Sequence, residues 1–252
     1  MSERAKEYRD RMVVLSFVSV LLVLIYGPLA PWFVAADRFL FDLFAGNVRA
    51  TSAEDSVIVS IDPNRKSRDE LLAEYGRLLE ILQAEGAARI ILPDPPAIDG
   101  NDSLPGWSAL LSGETPVFVP ADHRLADVSS RSGVFNLRPD PDDVLRTSRL
   151  WYLGGGAMSP SLPLAVALAS NSFGNDPRMD QSDFSIYYSR YEPVRRLVTE
   201  QIFAGVDTGD ALSGKTVFLD ATPELIGAVA VLPSGQFVTP SEISAQLLLS
   251  LL

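Results

Sequence analysis

No charged side chain occurs between Met12 and Ala36, a run of 25 residues (12 to 36). About 20 apolar residues are enough for a helix to cross the hydrocarbon core of a bilayer. Met12 to Tyr26 is interrupted only by Ser16 and Ser19, and Tyr26 and Trp32 suit the interfacial aromatic belt. Gly27-Pro28 and Pro31 lie near the end of the run, where a helix kinks or stops. The spacing predicts one transmembrane helix over 12–36. Arg4, Lys6, Arg9 and Arg11 precede it and Asp37 follows it. The positive-inside rule therefore places residues 1–11 in the cytoplasm and residues 37–252 outside it, in the periplasm of a cell with an inner membrane. A cleaved signal peptide ending at Val34-Ala35-Ala36 is the rival reading, but its apolar region would far exceed the usual ~7–15 residues. A buried helix of a soluble protein is disfavoured by the same length and flanks.

The remainder reads as a single α/β domain, a mixed and partly parallel sheet flanked by helices. Phe39, Leu40, Leu43 and Phe44 recur at helical spacing, so a short amphipathic helix is expected over 39–48. Val57-Ile58-Val59-Ser60-Ile61 is a β-branched run ending at Asp62-Pro63, a buried strand and turn. A helix follows over 69–86, with Leu71, Leu72, Tyr75, Leu78, Leu79 and Leu82 on one face and Gly86 as the stop. Arg89 to Leu92 is a second strand, and the two form a βαβ unit with the separation a parallel pair requires. Further strands are expected over 116–120, 133–137, 147–153, 184–188 and 216–220. Helices are expected over 104–111, 162–170 (with Pro163 in the first turn) and 240–252, and a hairpin around Pro233-Ser234-Gly235. The apolar run from Leu247 to Leu252 reads as the approach to a second membrane helix.

Charge and composition narrow the function. The net charge of -11 opposes nucleic acid and polybasic membrane-surface binding, both of which need a basic face. Without cysteine there is no disulfide, thiolate metal site or cysteine nucleophile. Gly209 to Thr216 satisfies the G-x-x-x-x-G-K-[ST] pattern, but Val217-Phe218-Leu219 is strand-like where a phosphate loop needs a helix, so a turn into a strand is expected. His123, the only histidine, lies between Asp122 and Arg124 in a loop and builds neither a triad nor a zinc site. Gly154-Gly155-Gly156 reads as a flexible turn, and Tyr187, Tyr188 and Tyr191 as packing residues with a capacity to stack.

The candidate site residues fall in two places. Asp62 and Asp94 end two strands, and ligands of open α/β sheets collect beyond the carboxyl ends of strands. Two carboxylates there suit a cation, a ligand amine or acid–base work, against the plainer role of capping a turn before proline. Asp140, Asp142 and Asp143 lack the sixth-position glycine and the distant glutamate of a calcium loop and read as a solvated turn. Asn136 and Arg146 either hydrogen-bond across that turn or face a pocket. No metal, cofactor or catalytic residue is expected.

The order of these pieces resembles the CHASE2 domain. The resemblance runs from Asp37-Arg38 and Val57-Ile58-Val59-Ser60-Ile61-Asp62 through Ile90-Ile91-Leu92-Pro93-Asp94 to Gly133-Val134-Phe135-Asn136. Asp140, Asp142 and Arg146 stand in the family's small turn. Ser161-Leu162-Pro163-Leu164-Ala165, Leu212 to Leu219 and Ala245-Gln246 complete the match. The chain departs from the family with Asp220-Ala221-Thr222, where a glycine is usual, and with Pro240-Ser241 and Ser244 at the last helix. The resemblance implies a non-enzymatic sensor between membrane helices, binding a small molecule or a protein and expected to be a homodimer. Its output, a kinase, nucleotide cyclase or cyclic-dinucleotide enzyme, would lie outside this sequence. The competing classes are an extracytoplasmic hydrolase using Asp62 and Asp94, and a membrane-tethered interaction protein without a ligand.

Overall fold

In a computed structural model, the structure describes residues 30–45, 55–62, 66–98, 104–129, 131–140, 142–154, 157–170, 183–185, 194–205, 209–221, 230–231 and 237–251. The chain divides into two units, Met1–Asn47 and Val48–Leu252.

In the first unit, α1 spans Ala30–Ala45. The separate helix expected from Phe39 is thus continuous with the residues before it. Pro31 sits in the first turn of this helix, where a missing N–H costs nothing. Trp32, Val34, Phe39 and Leu40 are exposed. Residues 12–29 of the expected span, and residues 1–11, lie outside the described residues. Among the described residues no helix is long and apolar enough to cross a membrane.

The second unit is built on one sheet. Its strands are β1 Ser56–Ile61, β2 Arg89–Ile91, β3 Val117–Pro120, β4 Ser132–Gly133, β9 Arg195–Val198 and β10 Thr216–Ala221. They lie in the order β4-β3-β2-β10-β1-β9, and every pairing is parallel. Antiparallel pairing among the described residues is confined to three ribbons. These are β5 Thr147–Arg149 with β8 Asp183–Ser185, β6 Trp151–Gly154 with β7 Ala157–Pro160, and β11 Ala230–Val231 with β12 Phe237–Val238. The single strand expected over 147–153 is therefore two, broken at the buried Leu150. Edge strand β9 was not expected at all.

A parallel sheet must be covered on both faces, and alternation along the strands supplies two cores. Val57, Val59 and Ile61 of β1, with Val217 and Leu219 of β10, pack beneath Tyr75, Leu78, Leu79 and Leu82 of α2 (Arg68–Ala84) and Trp107 and Leu111 of α3 (Leu104–Leu111). Ile58 and Phe218 point the other way. They meet Leu162, Leu164 and Val166 of α4 (Leu162–Ala169) and Ile243, Leu247, Leu248 and Leu251 of α7 (Pro240–Leu251). Each such side chain, fully buried, contributes about 1.5–3 kcal/mol. Leu247, Leu248 and Leu251, in the run expected to approach a second membrane helix, are core residues.

Local signals define the helix ends. A capping box formed by Ser67 and Glu70 starts α2: the Ser67 N–H donates to Glu70 Oε2 at 2.7 Å, and the Glu70 N–H to Ser67 Oγ at 3.3 Å. The Ser67 N–H foremost, and then the Ser67 hydroxyl, which donates to Glu70 Oε2 at 2.9 Å, hold the Glu70 carboxyl below the usual carboxylate range. Ser161 Oγ caps α4 by accepting from the Leu164 N–H at 3.3 Å. Thr239 and Glu242 form the same reciprocal pair at α7, at 2.8 and 3.2 Å. Two short helices, α5 Thr199–Phe203 and α6 Gly209–Leu212, precede β10.

One topological expectation is corrected. β1 and β2 are parallel and joined through α2, but they are not neighbours: β10 lies between them. The phosphate-loop pattern resolves as expected, since Thr216 opens a strand and Lys215 Nζ donates to Asp55 Oδ1 at 3.4 Å.

Candidate functional site at the sheet edge and the neighbouring pocket

The carboxyl ends of β1, β10 and β2 bring a row of acidic residues to one edge. Asp62 follows Ile61 directly and is exposed, and Asp94 lies three residues beyond Ile91. Because β10 intervenes, their strands stand two strand spacings, roughly 10 Å, apart. Asp62 and Asp94 are thus not the adjacent pair that the sequence suggested. The residue between them is Asp220, paired in register with Ser60 and 1% exposed.

Asp220 anchors a polar network that is buried at the sheet and open toward Arg196. Arg196 of β9 donates through Nη1 to Ser60 Oγ at 2.5 Å and to Asp220 Oδ2 at 3.4 Å, and through Nη2 to Glu242 Oε1 at 3.0 Å. This one guanidinium ties β9, β1, β10 and the start of α7 together. Burial pushes the Asp220 carboxyl above the usual carboxylate range, and Glu242 adds to the rise; the Thr239 hydroxyl, Arg196 and Ser241 pull the other way. Asp220 Oδ1, Ser241 Oγ, Ser244 Oγ and Gln246 Nε2 are buried without a well-formed hydrogen bond. The signal for Asp220 lay in the sequence, as a departure where the resembled family carries glycine. Arg196 and Glu242 carried no signal.

Beside this network, Asp94 is exposed as a residue, yet partial loss of hydration pushes its carboxyl up against the pull of His123. His123 does more than occupy a surface loop. Its Nδ1 accepts from the Leu125 N–H at 3.2 Å, capping the short 3-10 helix Arg124–Asp127, and its Nε2 lies 3.2 Å from the Pro96 carbonyl. On the α2 face, burial pushes the Tyr75 phenol far up, helped by the negative charges of Asp94, Asp220 and Glu74, so it stays protonated.

The other three candidates lie on the chain between β4 and β5. Arg146, 6% exposed, places Nη1 at 3.0 Å from Asp140 Oδ2 and at 3.0 Å from both oxygens of Asp142. The Asp140 N–H donates to the Val144 carbonyl at 2.9 Å and the Asp143 N–H to the Asp140 carbonyl at 2.8 Å, with Asp143 at φ 63°. Arg146 thus bonds across the turn, and its hydrogen bond is the main reason the Asp142 carboxyl sits below the usual range. With two of the three aspartates bound to an arginine, the turn is no calcium loop. Among the described residues no acidic or histidine cluster could hold a metal.

Asn136 faces the alternative it was offered, a pocket. Asn136, Arg138, Pro139, Asp140, Thr147, Ser148, Arg149 and Tyr152 line a recess of about 310 Å³. Tyr152 Oη donates to the Asn136 carbonyl at 3.0 Å, closing one side. The structure therefore joins Asn136, through Asp140, to the Asp142–Arg146 clamp. Sequence reasoning missed Arg138, Arg149 and Tyr152, which mark no motif. Tyr187, Tyr188 and Tyr191 lie outside the described residues, as do Gly155 and Gly156.

A family model described as CHASE2 domain matches residues 15–252, beginning upstream of residue 37, where the resemblance was placed. No curated protein and no solved structure matches the chain. Matched over nearly its whole length, with the parallel sheet in place, the chain belongs to the CHASE2 domain family, an extracytoplasmic sensory family found in signalling receptors.

Proposed function

We propose that this chain is the sensory module of a membrane-bound bacterial signal-transduction receptor. It is held by a single span over 12–36, with residues 37–252 in the periplasm, and passes its signal to an output domain outside this sequence. The observation that supports the reading is the family match over residues 15–252, joined to a polar recess of ligand size on the excursion between β4 and β9. The module has no catalytic role of its own. A small molecule in the recess, or a partner on its rim, shifts the receptor by preferring one of two arrangements of a homodimer, since equal affinity for both would shift nothing. Asn136 contacts the bound molecule, while Arg146 and Asp142 hold the wall in place. Asp62 and Asp94 serve the sheet edge, on strands that β10 keeps from being neighbours.

The chain has no cysteine, so one introduced thiol reports topology without background. Glu80, exposed on α2, is the position for it. Glu80→Cys should react with a membrane-impermeant maleimide in cells whose outer membrane alone is permeabilised. Labelling only after the inner membrane is lysed would overturn the reading.

A further inference from the structure

We infer that the recess between the exit of β4 and β5 binds a small solute bearing a carboxylate or phosphate group. The inference rests on the sensor reading and names the chemistry of what is sensed. In a chain of net charge -11, two of the eight lining residues are arginines, Arg138 and Arg149, against one carboxylate, Asp140. That carboxylate is already engaged by Arg146 at 3.0 Å, a guanidinium that it shares with Asp142. Arg149 stands opposite Asp183 in the β5–β8 register, so the exposed Arg138 is the guanidinium most open to a ligand. A guanidinium fork matches the two oxygens of a carboxylate or phosphate, and its planarity means that less entropy is lost per hydrogen bond formed.

The neutral groups of the recess suit the same ligand. Thr147 and Ser148 of β5 and Asn136 line it without charge, and the Tyr152 hydroxyl is engaged at the Asn136 carbonyl. Both sides are held in place, one by the Arg146-clamped turn and the other by the β5–β8 pairing. A volume of about 310 Å³ lies at the small end of the ligand-pocket range of ~300–1,000 Å³, which admits a small metabolite and not a peptide.

The test is calorimetric titration of the full chain in detergent. The probes are succinate, citrate and inorganic phosphate, with choline and glucose as cationic and neutral controls. At least one anion should bind saturably, more weakly as salt is raised, and the arms separate carboxylate from phosphate recognition. Arg138→Gln, at an exposed position, should raise that Kd at least tenfold with the unfolding midpoint unchanged, and Arg149→Gln serves as the second variant. No titration by any of the three anions, or binding untouched by both substitutions, overturns the inference. Binding of choline or glucose alone, lost in Tyr152→Ala, also overturns it but leaves the sensor reading standing. That reading fails separately, in the labelling experiment.

Discussion

At His123 the two ring nitrogens have different duties. An Nδ1 that accepts from the Leu125 N–H must be unprotonated, so the proton sits on Nε2 and points at the Pro96 carbonyl. Burial is the main cause of its lowered pKa; Pro96, Asp122 and Asp94 favour the cation and offset part of the loss. A base with a depressed folded pKa binds fewer protons folded than unfolded, so stability falls as pH drops from about 6.5 through the folded value. Asp94 and Asp220, with raised pKa values, act in the opposite sense: above about 3.8 the folded state binds more protons than the unfolded one, and their contribution grows as pH falls. Comparing unfolding midpoints of wild type and His123→Gln between pH 7.5 and 5 isolates the histidine. Wild type should lose the greater share of stability over that range, and equal slopes would sink the assignment. The sequence showed a lone histidine in a loop; it did not show Pro96, 27 positions away, as the acceptor.

Backbones approach closely where β4 runs into α4. The Val134 N–H donates to the Pro160 carbonyl and the Leu162 N–H to the Val134 carbonyl, both at 2.9 Å, stitching the end of one strand to the start of a helix far along the chain. Gly133 permits the approach. A Cβ there would fall 2.6 Å from Leu162 Cα, 2.8 Å from its N and 2.9 Å from Ser161 C, all backbone atoms that cannot rotate aside. Gly133→Ala should therefore cost about 2–3 kcal/mol, read as a lowered denaturant midpoint; an unchanged midpoint would show the contact to be slack. Most of α4 was legible, because its cap Ser161, its first-turn Pro163 and its apolar run are local signals. The strand expected over 133–137 was not, since only Ser132–Gly133 finds a ladder partner in β3.

Across the whole domain, α7 seals one face of the sheet. Leu248 is 1% exposed and lies in the core shared with α4 and Phe218. Leu248→Ala should destabilise the protein by about 2–5 kcal/mol, measured by thermal or chemical unfolding in detergent; a loss below about 0.5 kcal/mol would return the terminal leucines to a membrane role. The sequence by itself determined the class of the fold and most element types. β-branched runs, helical periodicity, serine caps and Gly-Pro turns act between residues within a turn or two of one another, so they can be read along the chain. The order of the strands is another matter. That β10 inserts between β1 and β2, placing Asp220 where a direct Asp62–Asp94 pair was expected, is decided by packing between segments far apart in sequence. Arg196 and Ser60, hydrogen-bonded across that edge, are 136 positions apart. The recess has the same origin: Asn136, Arg138, Arg149 and Tyr152 carry no shared spacing and are brought to one wall only by the clamped turn and the β5–β8 pairing. Only the tertiary structure decided these, because a local pattern says which face a residue buries, and not which distant residue it will meet there.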